Sequence, residues 1–254
     1  MKVLKFGGTS VGSPERIREV KKIIEAQDSP CVVVVSAFQG ITDELKQISE
    51  LASAHNEEYK VLLDKILLRH TEYARQLVPK DKRASVMDAI CKIFAELQQT
   101  LNDIFLLREL SRYSLDQMMS TGELLSSLII SSIIEESLLL DSRSFIKTDS
   151  NFGYANVDFA KTDALINEQI NKQGRYVVVP GFIASNSDNV TTTLGRGGSD
   201  YSAAIIAAAL NSEILEIWTD VDGFMTADPK KVEKAYAIES LTYSEAIELS
   251  HFGA

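Results

Sequence analysis

The chain is poor in the residues that most readily mark chemistry. Its two cysteines, Cys31 and Cys91, are too few for a disulfide scaffold and point to a reducing compartment, the cytoplasm. Three histidines, His55, His70 and His251, lack ligand spacing, which argues against a zinc site; no metal site is expected. No apolar run reaches the length of a membrane span, and no basic stretch followed by an apolar segment opens the chain. Positive charge is scarce too: 26 Lys and Arg against 36 Asp and Glu leave a formal charge of −10. Without a basic excess to displace counterions, nucleic acid is not an expected partner, and any polyanion site must use a few local cations. Repeats, low-complexity tracts and flexible linkers are also missing. Against these absences, 254 residues with 45% hydrophobic content supply ample core for one large α/β domain or two small ones.

What is present is glycine in two informative places. Lys5-Phe6-Gly7-Gly8-Thr9-Ser10 closes the first apolar run, and Ser13-Pro14-Glu15 opens a helical stretch. Glycines let the backbone approach a ligand closely, free N–H groups can cradle phosphate oxygens, and the lysine adds a point charge. This is no Walker A loop, because Ser13 stands where that motif needs lysine. The bland alternative is a Gly-Gly turn after an edge strand. The second cluster, Gly195-Arg196-Gly197-Gly198-Ser199-Asp200, precedes a small-residue helix. Ser199 or Asp200 could cap that helix. Capping does not call for an arginine among three glycines, whereas binding a carboxylate or phosphate does. Asp200 could instead orient the Lys5 ammonium between two anions.

Apolar runs at Val3–Phe6, Cys31–Ser36, Phe145–Lys147, Tyr176–Pro180 and Ile214–Trp218 read as buried strands of a mostly parallel sheet. Helical segments at Pro14–Ala26, about Asp158–Lys172 and Tyr201–Leu210 alternate with them, and Ser185–Leu194 reads as a hairpin. The alternation predicts a doubly wound α/β sheet covered on both faces, with ligands at the carboxyl ends of its strands. Residues from about 43 to 112 depart from it as a helical excursion broken near Pro79, a packing or dimerisation element. A further helix is expected over Leu115–Leu139. Trp218-Thr219-Asp220 ends the last strand in an acidic turn whose hydroxyl and carboxylate suit a nucleotide's polar edges. Asp220 and Asp222 could hold a cation or be solvated turn acids, and Asp228-Pro229 is turn chemistry.

The order of these motifs matches a known family. Lys5–Ser10, Ser36-Ala37 with Thr42, Gly122-Glu123-Leu124, Gly181-Phe182-Ile183, Leu194–Asp200 and Trp218–Val221 follow one another as in aspartate kinases. The chain closely resembles their catalytic domain, in the amino acid kinase superfamily. Val221-Asp222-Gly223 and Glu248-Leu249-Ser250 also resemble kinase domains fused to homoserine dehydrogenase. The resemblance implies one catalytic domain over residues 1–254, a three-layer αβα sandwich with the excursion inside it. It implies phosphoryl transfer from ATP, with Mg2+, to the side-chain carboxylate of L-aspartate, opening the route to lysine, threonine and methionine. A carboxylate is already an anion at neutral pH, so the chemistry needs alignment and cationic screening rather than a general base. By the resemblance Lys5 neutralises the transferred phosphoryl and Asp200 positions the cationic groups. Gly7, Gly8 and Ser10 line the phosphates. Glu123 pairs with the aspartate ammonium and Arg196 with its α-carboxylate, while Thr42, Phe182 and Ser199 complete the amino acid pocket. Thr219, Asp220, Met225 and Lys230 lie along ATP.

Three departures from the family pattern stand out. Met225 replaces a usual aromatic, so thioether packing replaces stacking on the adenine. Lys230 replaces a frequent arginine and loses its bidentate fork. The chain ends at His251-Phe252-Gly253-Ala254, before the lysine and the regulatory ACT domains that follow in the family. It therefore reads as a truncated catalytic domain whose full-length form is a homo-oligomer. The rival readings are a glutamate or acetylglutamate kinase of the same superfamily, or an inactive ligand-binding fragment.

Overall fold

A computed structural model of the chain describes residues 1–170, 174–221, 223–227 and 231–252, the side chains of 250–252 excepted. Residues Met1–Trp218 form one compact unit and Thr219–Ala254 another.

The first unit is built on a five-stranded parallel sheet of order β3-β4-β2-β1-β7. Its strands are β1 (Lys2–Phe6), β2 (Cys31–Val35), β3 (Ser137–Leu139), β4 (Tyr176–Pro180) and β7 (Ile214–Trp218). Side chains alternate between its faces. Leu4, Phe6, Val33, Val35 and Val178 enter one core, and Val3, Val32, Val34, Val177 and Val179 the other. The first core is closed by α1 (Pro14–Glu25), α2 (Ile41–Ser53), α3 (Glu58–Leu77), α4 (Lys80–Leu107) and α5 (Arg112–Ile133). The second is closed by α6 (Phe159–Gln169) and α7 (Gly198–Ala209). A two-stranded antiparallel ribbon, β5 (Ile183–Ser185) with β6 (Thr191–Thr193), is the expected hairpin. The architecture is the expected αβα sandwich, and burial on both faces explains the unbroken valine run of β2.

Three strand expectations need correction. Ile214–Trp218 is a strand but not a buried one: as the edge strand β7 it leaves Ile214, Ile217 and Trp218 exposed. Phe145-Ile146-Lys147 is not a strand. It follows a 3₁₀ turn at Ser142–Ser144, makes one isolated bridge from Lys147 to Ser185, and buries Phe145 and Ile146 as core anchors. Three apolar residues are too few for periodicity to separate a strand from such an anchor. The remaining strand, β3, lies in what reads as the tail of the Leu115–Leu139 helix. That helix, α5, ends at Ile133, Ile134 turns extended, and Glu136 takes a left-handed φ of +54°. No glycine or proline marks the break.

The excursion is a packing element, as expected: α2, α3 and α4 with α5 supply the larger part of the first core. Val78 is extended before Pro79, which caps α4, so the break falls where proline forbids helix at the preceding residue. The α3 helix also touches the first glycine loop. Tyr73 Oη donates to the Gly12 carbonyl at 2.7 Å, and Arg69 Nη2 to the same oxygen at 3.5 Å.

One buried histidine gives this helical layer a pH signature. His70 is fully buried in α3, its Nδ1 lies 2.7 Å from the Ile66 carbonyl, and its ring stacks on Phe38. Facing a carbonyl, Nδ1 carries the proton, which leaves Nε2 unpaired. Burial pushes its pKa down to about 4, with Arg69 adding to the shift. The unfolded chain takes up this proton near pH 6.5, so stability falls as pH drops from there towards 4. Between pH 7 and 5 the protein should lose about 2 kcal/mol more than a His70→Gln variant. Urea unfolding of both at each pH checks this, and parallel slopes would reject it.

In the second unit, Met225 pairs with Ala237 in an isolated antiparallel bridge. Helix α8 (Tyr243–Phe252) opens on a capping box between Thr242 and Glu245.

Candidate active site

The parallel strands all deliver their carboxyl ends to one rim of the sheet, where chain turns gather. Phe6 leads into the first glycine loop. Gly7 N–H donates to the Trp218 carbonyl at 3.3 Å, and the Ser10 hydroxyl to the same oxygen at 3.2 Å. The loop thus hangs from the ends of β1 and β7. The helix α1 opens where expected, with Ser13 as its cap accepting from Arg16 N–H, while Arg16 Nη1 reaches back to the Thr9 carbonyl at 2.6 Å.

The second glycine cluster folds differently from the simplest reading. Gly197, not Ser199 or Asp200, takes the N-cap position of α7, with a φ of +73° that suits glycine. The helix therefore starts at Gly198, three residues before the expected Tyr201. Ser199 and Asp200 fall in its first turn, which rules out the capping reading and frees Asp200 for another partner. That partner is Lys5, whose Nζ lies 2.7 Å from Asp200 Oδ1. Lys5 is 8% exposed. Phe182, after β4, holds a left-handed φ of +68°, a sparsely populated conformation for an aromatic residue. It is fixed by its N–H to the Ser202 hydroxyl (2.9 Å) and by Leu194 N–H to its carbonyl (3.0 Å).

These turns border a cleft of about 890 Å³, within the range of small-molecule sites. Its lining includes Lys5, Gly8, Thr42, Glu123, Phe182, Arg196, Ser199 and Asp200, all expected from sequence. Gly7 and Ser10 lie in the adjoining loop and do not line it. Thr219 donates to Asp220 Oδ1 at 3.2 Å, and these two residues with Met225 belong to the second unit. Lys230, Asp222 and Asp228-Pro229 lie outside the described residues. Among the described residues, no cluster of three or more His, Cys, Asp or Glu forms a metal cage.

Glu123 is the unusual group of the cleft. It is 3% exposed on α5, and its Oε1 accepts from Ala37 N–H at 3.1 Å. Oε2 has no partner. Burial pushes its pKa up to about 8, against the lowering effect of that backbone bond. An unpaired buried carboxyl oxygen carries a desolvation penalty that a cation would relieve.

Sequence reasoning missed Asp116. It lies seven residues before Glu123, two turns along the same face of α5, and lines the same cleft. That spacing was the available signal. It also missed Tyr73 of α3, whose contact with Gly12 spans 61 residues and has no local trace.

The profile of the Amino acid kinase family matches residues 1–254. The chain belongs to the amino acid kinase family. Among curated family members, it is 34% identical to the bifunctional aspartokinase/homoserine dehydrogenase 2, chloroplastic, of Arabidopsis thaliana, over 99% of the chain and 28% of that protein. It is 36% identical to the aspartokinase of Chlamydia trachomatis, over 99% of the chain and 56% of that protein. Among solved members, E. coli aspartokinase III in complex with aspartate and ADP superposes with a TM-score of 0.90 at 32% identity, over all of the chain and 57% of that structure. The chain thus spans from about a quarter to just over half of the length of these family members. No helix among the described residues is long and apolar enough to cross a membrane.

Proposed function

We propose that the chain is the catalytic part of an aspartate kinase, which transfers the γ-phosphoryl of Mg-ATP to the side-chain carboxylate of L-aspartate. A carboxylate oxygen forms a bond to phosphorus as the β,γ-bridging P–O bond breaks and ADP leaves, giving 4-phospho-L-aspartate. Mg2+ would enter with ATP as part of that substrate and help to screen its phosphate charge.

One observation carries the reading: a buried carboxyl with an unpaired oxygen, Glu123, borders the same cleft as Arg196 and the Lys5–Asp200 pair. A free α-amino acid offers the matching charges, an ammonium for Glu123 and a carboxylate for Arg196. The reacting carboxylate then falls to Lys5, which screens it from the incoming phosphoryl, while Asp200 orients the ammonium of Lys5. Thr42, Phe182 and Ser199 bound the amino acid pocket, and Gly7, Gly8 and Ser10 serve the phosphates. Thr219, Asp220, Met225 and Lys230 keep their sequence-based assignment to ATP. Two unpaired cysteines support a reducing compartment, the cytoplasm, and the reaction serves synthesis of lysine, threonine and methionine.

An N-acetylated substrate has no ammonium for Glu123, which sets acetylglutamate behind aspartate. Coupled ADP-release assays with L-aspartate, L-glutamate and N-acetyl-L-glutamate test the reading. Turnover should be confined to aspartate, and preference for either rival would overturn it. Arg196 binds a part of the substrate that does not react. Arg196→Ala should therefore raise KM for aspartate by about tenfold or more and leave KM for ATP nearly constant. Weakened ATP binding instead would reassign Arg196 to the nucleotide.

A further inference from the structure

Asp116 is 1% exposed and accepts three hydrogen bonds from outside its own helix. Its Oδ2 accepts from Gly153 N–H at 3.0 Å and from Thr193 N–H at 2.9 Å, and its Oδ1 from the Thr193 hydroxyl at 2.8 Å. Burial alone pushes its carboxyl pKa up, and these bonds work against that shift. Each joins α5 to a segment far away in sequence. Thr193 ends β6, three residues before Arg196, and Gly153 sits in the turn that carries Tyr154. The two segments are also joined to each other, since Ala155 N–H donates to the Thr193 carbonyl at 3.0 Å. Beyond Thr193 the chain passes directly under Tyr154. A Cβ at Gly195 would meet the Tyr154 ring at 2.3 Å, and Gly195 has a φ of +77°. Gly198 N–H then closes the turn onto the Gly195 carbonyl at 3.0 Å. A continuous set of contacts therefore runs from Asp116 to the turn that presents Arg196.

We infer that Asp116 is a positioning residue for the amino acid pocket, fixing the Leu194–Gly198 turn so that Arg196 meets the substrate α-carboxylate. This rests on the aspartate reading above. The same helix thereby serves both head groups, with Glu123 in direct contact and Asp116 acting through Thr193. The charge of Asp116 makes its three bonds stronger than neutral ones, and their geometry fixes both the height and the rotation of the β6 end.

The test is a mutant cycle with a structural readout. Asp116→Asn removes the charge that strengthens the three bonds and turns the oxygen facing the Thr193 hydroxyl into a donor that can no longer accept its proton. It should raise KM for aspartate by about tenfold, with KM for ATP changed by less than about twofold. In an Arg196→Ala background the same substitution should add almost nothing, because its target is gone. Thr193→Val should reproduce part of the effect without touching the carboxylate, and Thr193→Ser should restore the original KM. If Asp116→Asn fails to fold by circular dichroism, the Thr193 pair decides alone. Hydrogen exchange supplies an arm independent of activity: protection at Gly153, Thr193 and Gly198 should fall together in Asp116→Asn, with that of β4 preserved. Additive fold-changes in the cycle, an equal rise in both KM values, or loss confined to Gly153 and Thr193 would overturn the inference. Absence of aspartate turnover in the unmodified protein would overturn the functional reading instead, and the exchange arm would still judge the contact from Asp116 to the turn.

Discussion

Lys5→Ala should lower kcat by about a hundredfold or more with the fold intact. The two halves of this expectation have different physical sources. The Lys5–Asp200 pair contributes little to stability, because the Asp200 side chain is 47% exposed and water can replace the ammonium once it is removed. The apolar neighbours of Lys5 in β1, Leu4 and Phe6, are fully buried and keep the strand in register with β2 and β7. Catalysis is another matter. In phosphoryl transfer to a carboxylate, two anions must approach within bonding distance, and negative charge spreads over the oxygens of the moving group. A cation already oriented there stabilises the transition state without reorganising, and loss of one such donor costs about 3 kcal/mol or more. Asp200 supplies the orientation, holding the ammonium at 2.7 Å. Asp200→Asn should therefore lower kcat less than Lys5→Ala does. Steady-state kinetics at saturating aspartate and ATP, with thermal unfolding as the control, measure both. A Lys5→Ala variant with near-normal kcat would remove Lys5 from the chemistry.

What could be read from the sequence follows from how local each determinant is. The runs that became β1, β2 and β4 were legible because parallel strands buried on both faces must be almost continuously apolar, whereas β7 keeps an apolar run although it is an edge strand with Ile214, Ile217 and Trp218 exposed. The short β3 was not, since Ser137-Leu138-Leu139 fits the tail of a leucine-rich helix equally well and the break at Glu136 rests on tertiary packing. Both glycine clusters announced a ligand loop. Which residue caps α7 depended on the backbone conformation of Gly197, and three glycines within four residues leave that choice open. Lys5, Glu123 and Arg196 were named through their motifs, but the orphaned Oε2 of Glu123 is a property of burial that appears only once α5 packs against Ala37. Asp116 and Tyr73 act across 77 and 61 residues of chain, and such contacts have no periodic signature.

Glu123 should make aspartate binding strongly pH-dependent, and the sign is set by its environment. With a pKa of about 8, the empty site holds Glu123 mostly protonated at neutral pH. A bound ammonium favours the ionised form, so aspartate must expel a proton as it binds. Apparent affinity should then rise about tenfold per pH unit below the pKa, about fiftyfold between pH 6 and 8, and level off above it. Isothermal titration in buffers of different ionisation enthalpy should detect release of nearly one proton per aspartate at pH 7. Glu123→Gln keeps the size and the bond from Ala37 N–H but cannot ionise. Its affinity should be weaker than that of the unmodified protein above pH 8 and flat from pH 6 to 8. The same carboxyl makes a separate prediction for stability. Folding holds its proton from the unfolded value of about 4.5 up to about 8, so the folded state binds more protons in that window and stability declines as pH rises through it. Glu123→Gln removes this decline, and the variant should be the more stable of the two at pH 8 in the absence of ligand. A variant that binds aspartate as well as the unmodified protein at pH 8, with no proton released by either, would detach Glu123 from the substrate ammonium and leave its unpaired oxygen without a purpose.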